Sequence, residues 1–302
     1  MLLPPAYVRD VLALQRDVLG TASLARGHYV NAVQTNLSRA TETLDLMALS
    51  GFLISVSMDF APGVRVDLGG RETEARTLRN LERLLARHLT CGIALVLGRH
   101  NHERLPEFHD HLESLGVAWL RIIPLFKPPA KAPGVGLELR HDEVVAALLR
   151  LFVHRIQNQK KLPVQPLDRI LRAVISRRAN VPVTPRNRRR QGEIRLVVHP
   201  DGTLTNEAGT TQPDSVLGNI FTQTAREILR SSAYRDSLDR DDALRARHCP
   251  QCQYREACDG RPLFEFPHEF DSGPCPIESK LLAAVDEYAE RMTQCDSGEL
   301  AI

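Results

Sequence analysis

The chain has 302 residues, with 39 Lys and Arg against 37 Asp and Glu and a formal net charge of +2. A chain this long buries roughly 75% of its unfolded surface, so it needs neither a disulfide nor a metal merely to possess a core. Hydrophobic content of 43% and charged content of 25% exclude wholesale disorder and a fibrous repeat, and the near-neutral balance argues against a dedicated nucleic-acid binder.

The periodicity alternates between helix and strand up to about residue 126. Residues 6–19 place Val8, Val11, Leu12, Val18 and Leu19 on one helical stripe, with Pro4 and Pro5 suited to a first turn. HYVNAVQTN (28–36) reads as a strand, 40–50 as a helix through Leu44, Met47 and Ala48, and FLISVSMDF (52–60) as a buried strand. Leu78, Leu81, Leu85 and Leu89 mark a helix over 72–89; an apolar strand at 92–97, a helix over 102–115 and the strand VAWLRIIPL (117–125) follow. Short strands separated by amphipathic helices imply parallel strands with right-handed crossovers, in a sheet or barrel whose ligands sit beyond the carboxyl strand ends. Three of the four ends are polar: Gln34-Thr35-Asn36, Ser57-Met58-Asp59 and Gly98-Arg99-His100-Asn101, against Pro124-Leu125.

A Pro/Gly-rich connector (127–136) leads into helices at about 141–157 and 166–178, then a basic, proline-broken loop over 177–195. That loop lacks interleaved aromatics and reads as a solvated linker rather than a phosphate or RNA site. A hairpin over 194–207 turns at Pro200-Asp201-Gly202. A helix near 222–231, a cysteine-rich stretch over 249–275 and a final helix over 276–293 end the chain. No run approaches the ~18 apolar residues of a membrane span, and the first residues lack the basic start and unbroken apolar stretch of a signal peptide. A cytoplasmic location is expected, where cysteines are thiols or metal ligands rather than disulfides.

Four of the six cysteines form one pattern, Cys249-x2-Cys252-x5-Cys258-x16-Cys275. Cys-x2-Cys presents two thiolates from one tight turn, and two more from further along complete the shell of a structural zinc or a [4Fe–4S] cluster. Arg247, His248 and Arg255 lie close by, and cations favour thiolates. Four unrelated cysteines, or a redox pair at 249 and 252, are the competing readings, and spacing alone does not separate zinc from iron–sulfur. Cys91 reads as a buried small hydrophobe and Cys295 as incidental. His109 and His111 lie two apart and so point to different helix faces; they read as surface residues, not a metal pair. No nucleophile elbow, Walker loop or dinucleotide fingerprint is present.

These segments resemble a known family. The stretches HYVNAVQTNLSRATETLDLMALSGFLISVSMDF, RVDLGGRETEARTLRNLERL, CGIALVLGRHNHERLPEFHDHLESLGV and RIIPL are similar to the middle and end of a radical S-adenosylmethionine (SAM) domain. The likeness is to the peptide- and protein-maturing branch that includes anaerobic sulfatase-maturating enzymes. HPDGTLTNE, LGNI and ARHCPQCQYREACDG resemble that branch's SPASM domain, which carries auxiliary [4Fe–4S] clusters. The resemblance implies that Cys249, Cys252, Cys258 and Cys275 hold the second auxiliary cluster. It also implies that Gln34, Thr35 and Asn36 lie near a peptide substrate, and that Ser57 and Asp59 form the strand end where SAM is held.

The departures from that family carry weight. Its Cys-x3-Cys-x2-Cys and its Gly-Gly-Glu-Pro belong to two strands that would precede Met1, and neither motif occurs in this chain. Glu207 and Pro262 stand where two cysteines of the first auxiliary cluster are expected, and Leu37 and Phe60 stand where the family has glycines. The resemblance therefore implies an α/β fold: an N-terminally truncated partial (β/α) barrel of parallel strands (1–126), a helical connector (127–192), and a small cysteine-rich SPASM-like α+β domain (193–302). Reductive SAM cleavage needs an iron with an open coordination site; without the triad the chain as written is expected not to cleave SAM, and no residue is assigned a catalytic role. The strand at 28–36 is left as a bare edge. An upstream start, a partner such as a complete maturase that supplies the missing strands, or a decayed remnant would each account for it, and the first is favoured. The expected partner is a peptide or protein substrate.

Overall fold

The computed structural model describes residues 4–20, 29–38, 42–61, 63–125, 136–181, 196–206, 215–255, 257–258, 275 and 277–298, with backbone alone at 241 and 293–298. Residue 28, most of the connector, the basic loop beyond 181, Glu207, Pro262 and the side chain of Cys295 lie outside the described residues. The chain divides into two compact units, Met1–Asp168 and Arg169–Ile302.

The first unit runs α1 (Pro5–Leu19), β1 (Ala32–Thr35), α2 (Glu42–Leu49), β2 (Leu53–Ser57), α3 (Glu74–Ala86), β3 (Cys91–Leu97), a 3-10 turn (His102–Arg104), α4 (Leu105–Ser114), β4 (Leu120–Pro124), α5 (His141–Gln157) and β5 (Val164–Gln165). α6 (Leu167–Arg178) begins at its end. All four strand pairings are parallel, and the sheet order is β1-β2-β3-β4-β5. Sequential parallel neighbours joined by helices are the arrangement the alternating periodicity implied. The central strand, Cys-Gly-Ile-Ala-Leu-Val-Leu, is buried at six of its seven positions, because a parallel strand covered on both faces is apolar throughout. β1 ends the sheet and has no buried residue, so the expected edge strand is observed.

Strand side chains alternate between faces, and parallel partners share a face. Ile54, Val56 and Met58 are fully buried, as are their neighbours Ile93, Leu95 and Leu97. The opposite face carries Gln34, Ser55 and Ser57, then Gly92 and Ala94, then Trp119 and Arg121, then Gln165, by the register of the four pairings. This second face is mixed: Gly92 and Ala94 are buried at its centre, while Gln34, Ser55 and Ser57 are only partly covered. Gly92 belongs there for a steric reason: a Cβ on it would stand 2.1 Å from the Trp119 ring.

The apolar stripe of α3 lies one step round from the expected one. Its buried residues are Thr77, Asn80, Leu81 and Leu84, while Leu78 and Leu85 are half-buried. The two polar members serve the turn after β1: Thr77 Oγ1 donates to the Asn36 carbonyl and Asn80 Nδ2 donates to the Leu37 carbonyl at 2.9 Å.

The second unit contains an antiparallel meander of β6 (Val197–Val198), β7 (Thr203–Thr205) and β8 (Val216–Asn219), then α7 (Ala225–Arg230), α8 (Ser232–His248) and α9 (Glu278–Gly298). Its hairpin turns at the expected Pro200-Asp201-Gly202, where Asp201 accepts from the Thr203 N–H and Gly202 adopts φ +81°. Leu204, Leu217, Ile228, Tyr234 and Leu238 form one small core. The 17-residue helix α8 has no counterpart in the sequence reading. Asp286 on α9 gathers Arg177 and Arg178 of α6 and the hydroxyl of buried Tyr254, at 2.6, 2.5 and 3.0 Å.

Candidate functional site

The carboxyl ends of β1, β2 and β3 bring together most of the polar residues singled out in the first unit. Gln34 Nε2 donates to Ser57 Oγ at 2.7 Å, joining two candidate residues across the second face of the sheet. Thr35 and Asn36 do different work. Thr35 Oγ1 accepts from Leu37 N and Asn36 Oδ1 from Ser38 N, so both side chains shape the turn that leaves β1.

Asp59 is 7% exposed and its carboxylate is occupied. It accepts from Arg65 Nε at 2.7 Å and from Val96 N at 3.0 Å. Its carbonyl accepts from Asn101 Nδ2 at 2.8 Å, and the same amide spans to Val96 O while its Oδ1 accepts from Gly98 N. Asp59 and Asn101 thus pin the end of β2 to the end of β3. His100 sits beside them with neither ring nitrogen hydrogen-bonded, and burial holds its pKa below the usual histidine value against the pull of Asp59. Arg65 and Arg121 escaped the sequence reading. A buried aspartate needs a cationic partner, which gives a signal for Arg65 but no address.

Leu37 and Phe60 stand in the left-handed region, at φ +50° and +53°, a conformation that costs an L-residue ~1–2 kcal/mol and costs glycine nothing comparable. Both side chains are buried, and Phe60 stacks on Phe108 with centroids 4.8 Å apart. The backbone thus keeps a glycine shape at both positions where the resemblance expects glycine.

In the second unit Cys249 caps the end of α8. A succession of tight turns follows: Cys252 N donates to Cys249 O, Arg255 N to Cys252 O, and Cys258 N to Tyr254 O at 2.7 Å. Tyr254, 2% exposed and tied to Asp286, fixes this loop to α9. Cys275 precedes the first turn of α9, its carbonyl accepting from Ser279. Cys249, Cys252, Cys258 and Cys275 are all thiols, as is buried Cys91. Three of the pairs act on one another: Cys252 on Cys249, and Cys258 and Cys252 on Cys275. Burial raises Cys249, opposed by Arg245, and the Cys252 charge raises it further; burial, Glu278, Cys258 and Cys252 together push Cys275 up to about 12. Four cysteines carried by one loop of tight turns and by the start of α9 are the soft sulfur donors that a structural zinc or an iron–sulfur cluster takes, and the residues fit such a group by that chemistry. Glu207 and Pro262, expected to mark a lost first cluster, lie outside the described residues.

The fold, an α/β sheet unit followed by a small cysteine-bearing unit, is similar to that of several solved structures. Residues 190–256 match the family model described as SPASM, an iron-sulfur cluster-binding domain. Among solved structures, native anSMEcpe with bound AdoMet and the Kp18Cys peptide aligns with a TM-score of 0.70 at 18% identity, covering 98% of this chain and 82% of that one. The same enzyme with AdoMet alone gives 0.66 at 16% identity, covering 98% and 81%. SuiB from Streptococcus suis gives 0.54 at 11% identity, covering 69% and 50%. No curated protein matches.

Proposed function

We propose that this chain is a radical SAM/SPASM-type maturase that acts on a ribosomally made peptide or protein in the cytoplasm, and that its 302 residues alone do not cleave SAM. The carrying observation is the set of four thiols at Cys249, Cys252, Cys258 and Cys275, the first two inside the segment that matches the SPASM model. In this reading residues 1–126 form the partial barrel, 127–192 the connector and 193–302 the iron–sulfur unit. The four cysteines hold one [4Fe–4S] cluster, which supplies electron-transfer chemistry when bound; zinc is the alternative occupant.

The residues of the first unit divide the remaining work. Gln34 and Ser57, hydrogen-bonded on the second face of the sheet, present amide and hydroxyl groups to peptide and SAM respectively. Thr35 and Asn36 hold the turn beside them. Asp59, its carboxylate already committed to Arg65 and Val96, is a positioning residue that sets the end of β2. The likeness to structures holding AdoMet and peptide supports this division. The Cys-x3-Cys-x2-Cys triad is absent from residues 1–302, so the electron for SAM cleavage must enter through a triad supplied by preceding sequence or by a partner. That absence favours a second reading, a non-catalytic protein that binds a peptide or a complete maturase.

Anaerobic purification with iron, sulfide and zinc analysis, followed by incubation with SAM and dithionite, tests the proposal. About four irons per chain and no SAM cleavage is the expected result. One zinc without iron, or colourless metal-free protein, overturns the cluster; SAM cleavage by the chain alone overturns the second clause. Peptide bound in the complete absence of SAM binding establishes the second reading instead.

A further inference from the structure

A second group of ligand-type residues lies in the first unit, unrelated to the four cysteines. His109, Asp110 and Glu113 occupy consecutive turns of α4, and one ligand atom from each lies within 4.8 Å of the others. His109 was expected at the surface; its side chain is 0% exposed, because α4 turns Leu105, Phe108, His109 and Leu112 inward. His111, its neighbour on the other face, is exposed as expected.

One ring nitrogen of His109 is buried with no hydrogen-bond partner. Nε2 lies 3.4 Å from the Leu162 carbonyl, an acceptor, so Nε2 carries a hydrogen. A neutral ring with its hydrogen there has no second one to give. Nδ1 is then a bare lone pair, buried and without a hydrogen-bond partner, and it points at Asp110 Oδ1 from 3.6 Å. A lone pair facing a carboxylate across that gap is repulsive unless a positive centre lies close to both.

The carboxylates are arranged to receive such a centre. His154 accepts from Asn158 at Nδ1 and so donates from Nε2 to Asp110 Oδ1 at 2.9 Å, orienting that carboxylate as an outer partner orients a metal ligand. Glu113 Oε1 is held by the N–H groups of Lys161 and Leu162, and its other oxygen lies 3.3 Å from Lys160 Nζ. The chain already places a cation here: Lys160 Nζ stands 3.0 Å from Asp110 and 3.3 Å from Glu113.

We propose that His109 Nδ1, Asp110 and Glu113 form a binding site for a divalent first-row cation such as Zn2+, and that the Lys160 ammonium is its intramolecular competitor. One nitrogen and two oxygens suit such an ion, with a coordination position left for water. Metal entry releases Lys160, which is long, flexible and only partly buried, and it neutralises the facing charges of Asp110 and Glu113.

The test uses the full chain, isolated anaerobically, titrated with Co2+ and followed by visible absorption and calorimetry. Cobalt held by nitrogen and oxygen shows ligand-field bands without thiolate charge transfer, which separates this site from the cysteines. One such ion per chain is expected. Two variants should each weaken it at least tenfold: His109→Gln, which keeps a donor toward Leu162 while removing Nδ1, and Glu113→Gln, at a partly exposed position. Lys160→Met should tighten binding, since it removes the competitor. That gain cannot arise from misfolding. Sulfur-free cobalt binding that is absent from wild type, unaltered in Glu113→Gln, or weakened in Lys160→Met overturns the proposal.

Discussion

The left-handed backbone at Leu37 permits a test in which glycine and alanine exchange their usual order. Leu37 is fully buried, and truncating such a leucine to alanine costs ~2–5 kcal/mol. Elsewhere a further change to glycine costs another ~0.5–1 kcal/mol of backbone entropy. At φ +50° the glycine also relieves strain of ~1–2 kcal/mol. Leu37→Gly should therefore be more stable than Leu37→Ala by about 0.5–1 kcal/mol, although both are less stable than wild type. Leu148, fully buried within α5, is the control: there glycine should be worse than alanine by ~1 kcal/mol. Urea unfolding followed by fluorescence of the single tryptophan, Trp119 in β4's approach, reports on the first unit, and a midpoint shift at constant slope reads the difference. If Leu37→Gly unfolds at lower urea than Leu37→Ala, strain at this turn is refuted. The same pair at Phe60 should behave alike, with a larger common loss from the broken stack on Phe108.

Three further outcomes follow from the same structure. Burial raises the Cys91 thiol from 9.0 to about 11, so the fold holds its proton more tightly than the unfolded chain does; stability should be complete below about pH 9 and fall by about 2–3 kcal/mol toward pH 11, and a Cys91→Ala unfolding profile as alkali-sensitive as wild type would count against the assignment. Gly92→Ala drives a methyl into the Trp119 ring, so a loss of ~1–3 kcal/mol and a shifted tryptophan emission are expected, and an unchanged spectrum would contradict the close approach. Cys252→Ala should abolish the ~400 nm absorbance of an iron–sulfur cluster and loosen residues 245–275 to hydrogen exchange, since binding energy there is folding energy; Cys295→Ala should leave the absorbance intact.

Much of the architecture was legible because it rests on local pattern. Apolar runs bounded by turn residues located β2 and β3, and α5 (His141–Gln157) matches its expected bounds because its start, stripe and end are all encoded within one stretch. The tight turn between Cys249 and Cys252 was equally legible, since it is a property of spacing. Other features carry no such signature. α8 buries Tyr234, Ser237 and Leu238 and few other residues of a highly charged stretch, so it has no stripe to detect; its Ser231 cap was the only local cue. β5 is two residues long and exists because β4 offers it a ladder.

The sequence by itself determined most of the strands and helices of the first unit, that those strands run parallel, and which four thiols could share a centre, because each is fixed by residues close together in the chain. Only the tertiary structure decided that Leu37 and Phe60 carry bulky side chains in a glycine conformation, that Asp59 spends its carboxylate on Arg65 and Val96, and that His109 is buried facing Asp110, Glu113 and Lys160. Burial and partnership depend on what packs from distant elements, and no local pattern of residue types encodes them.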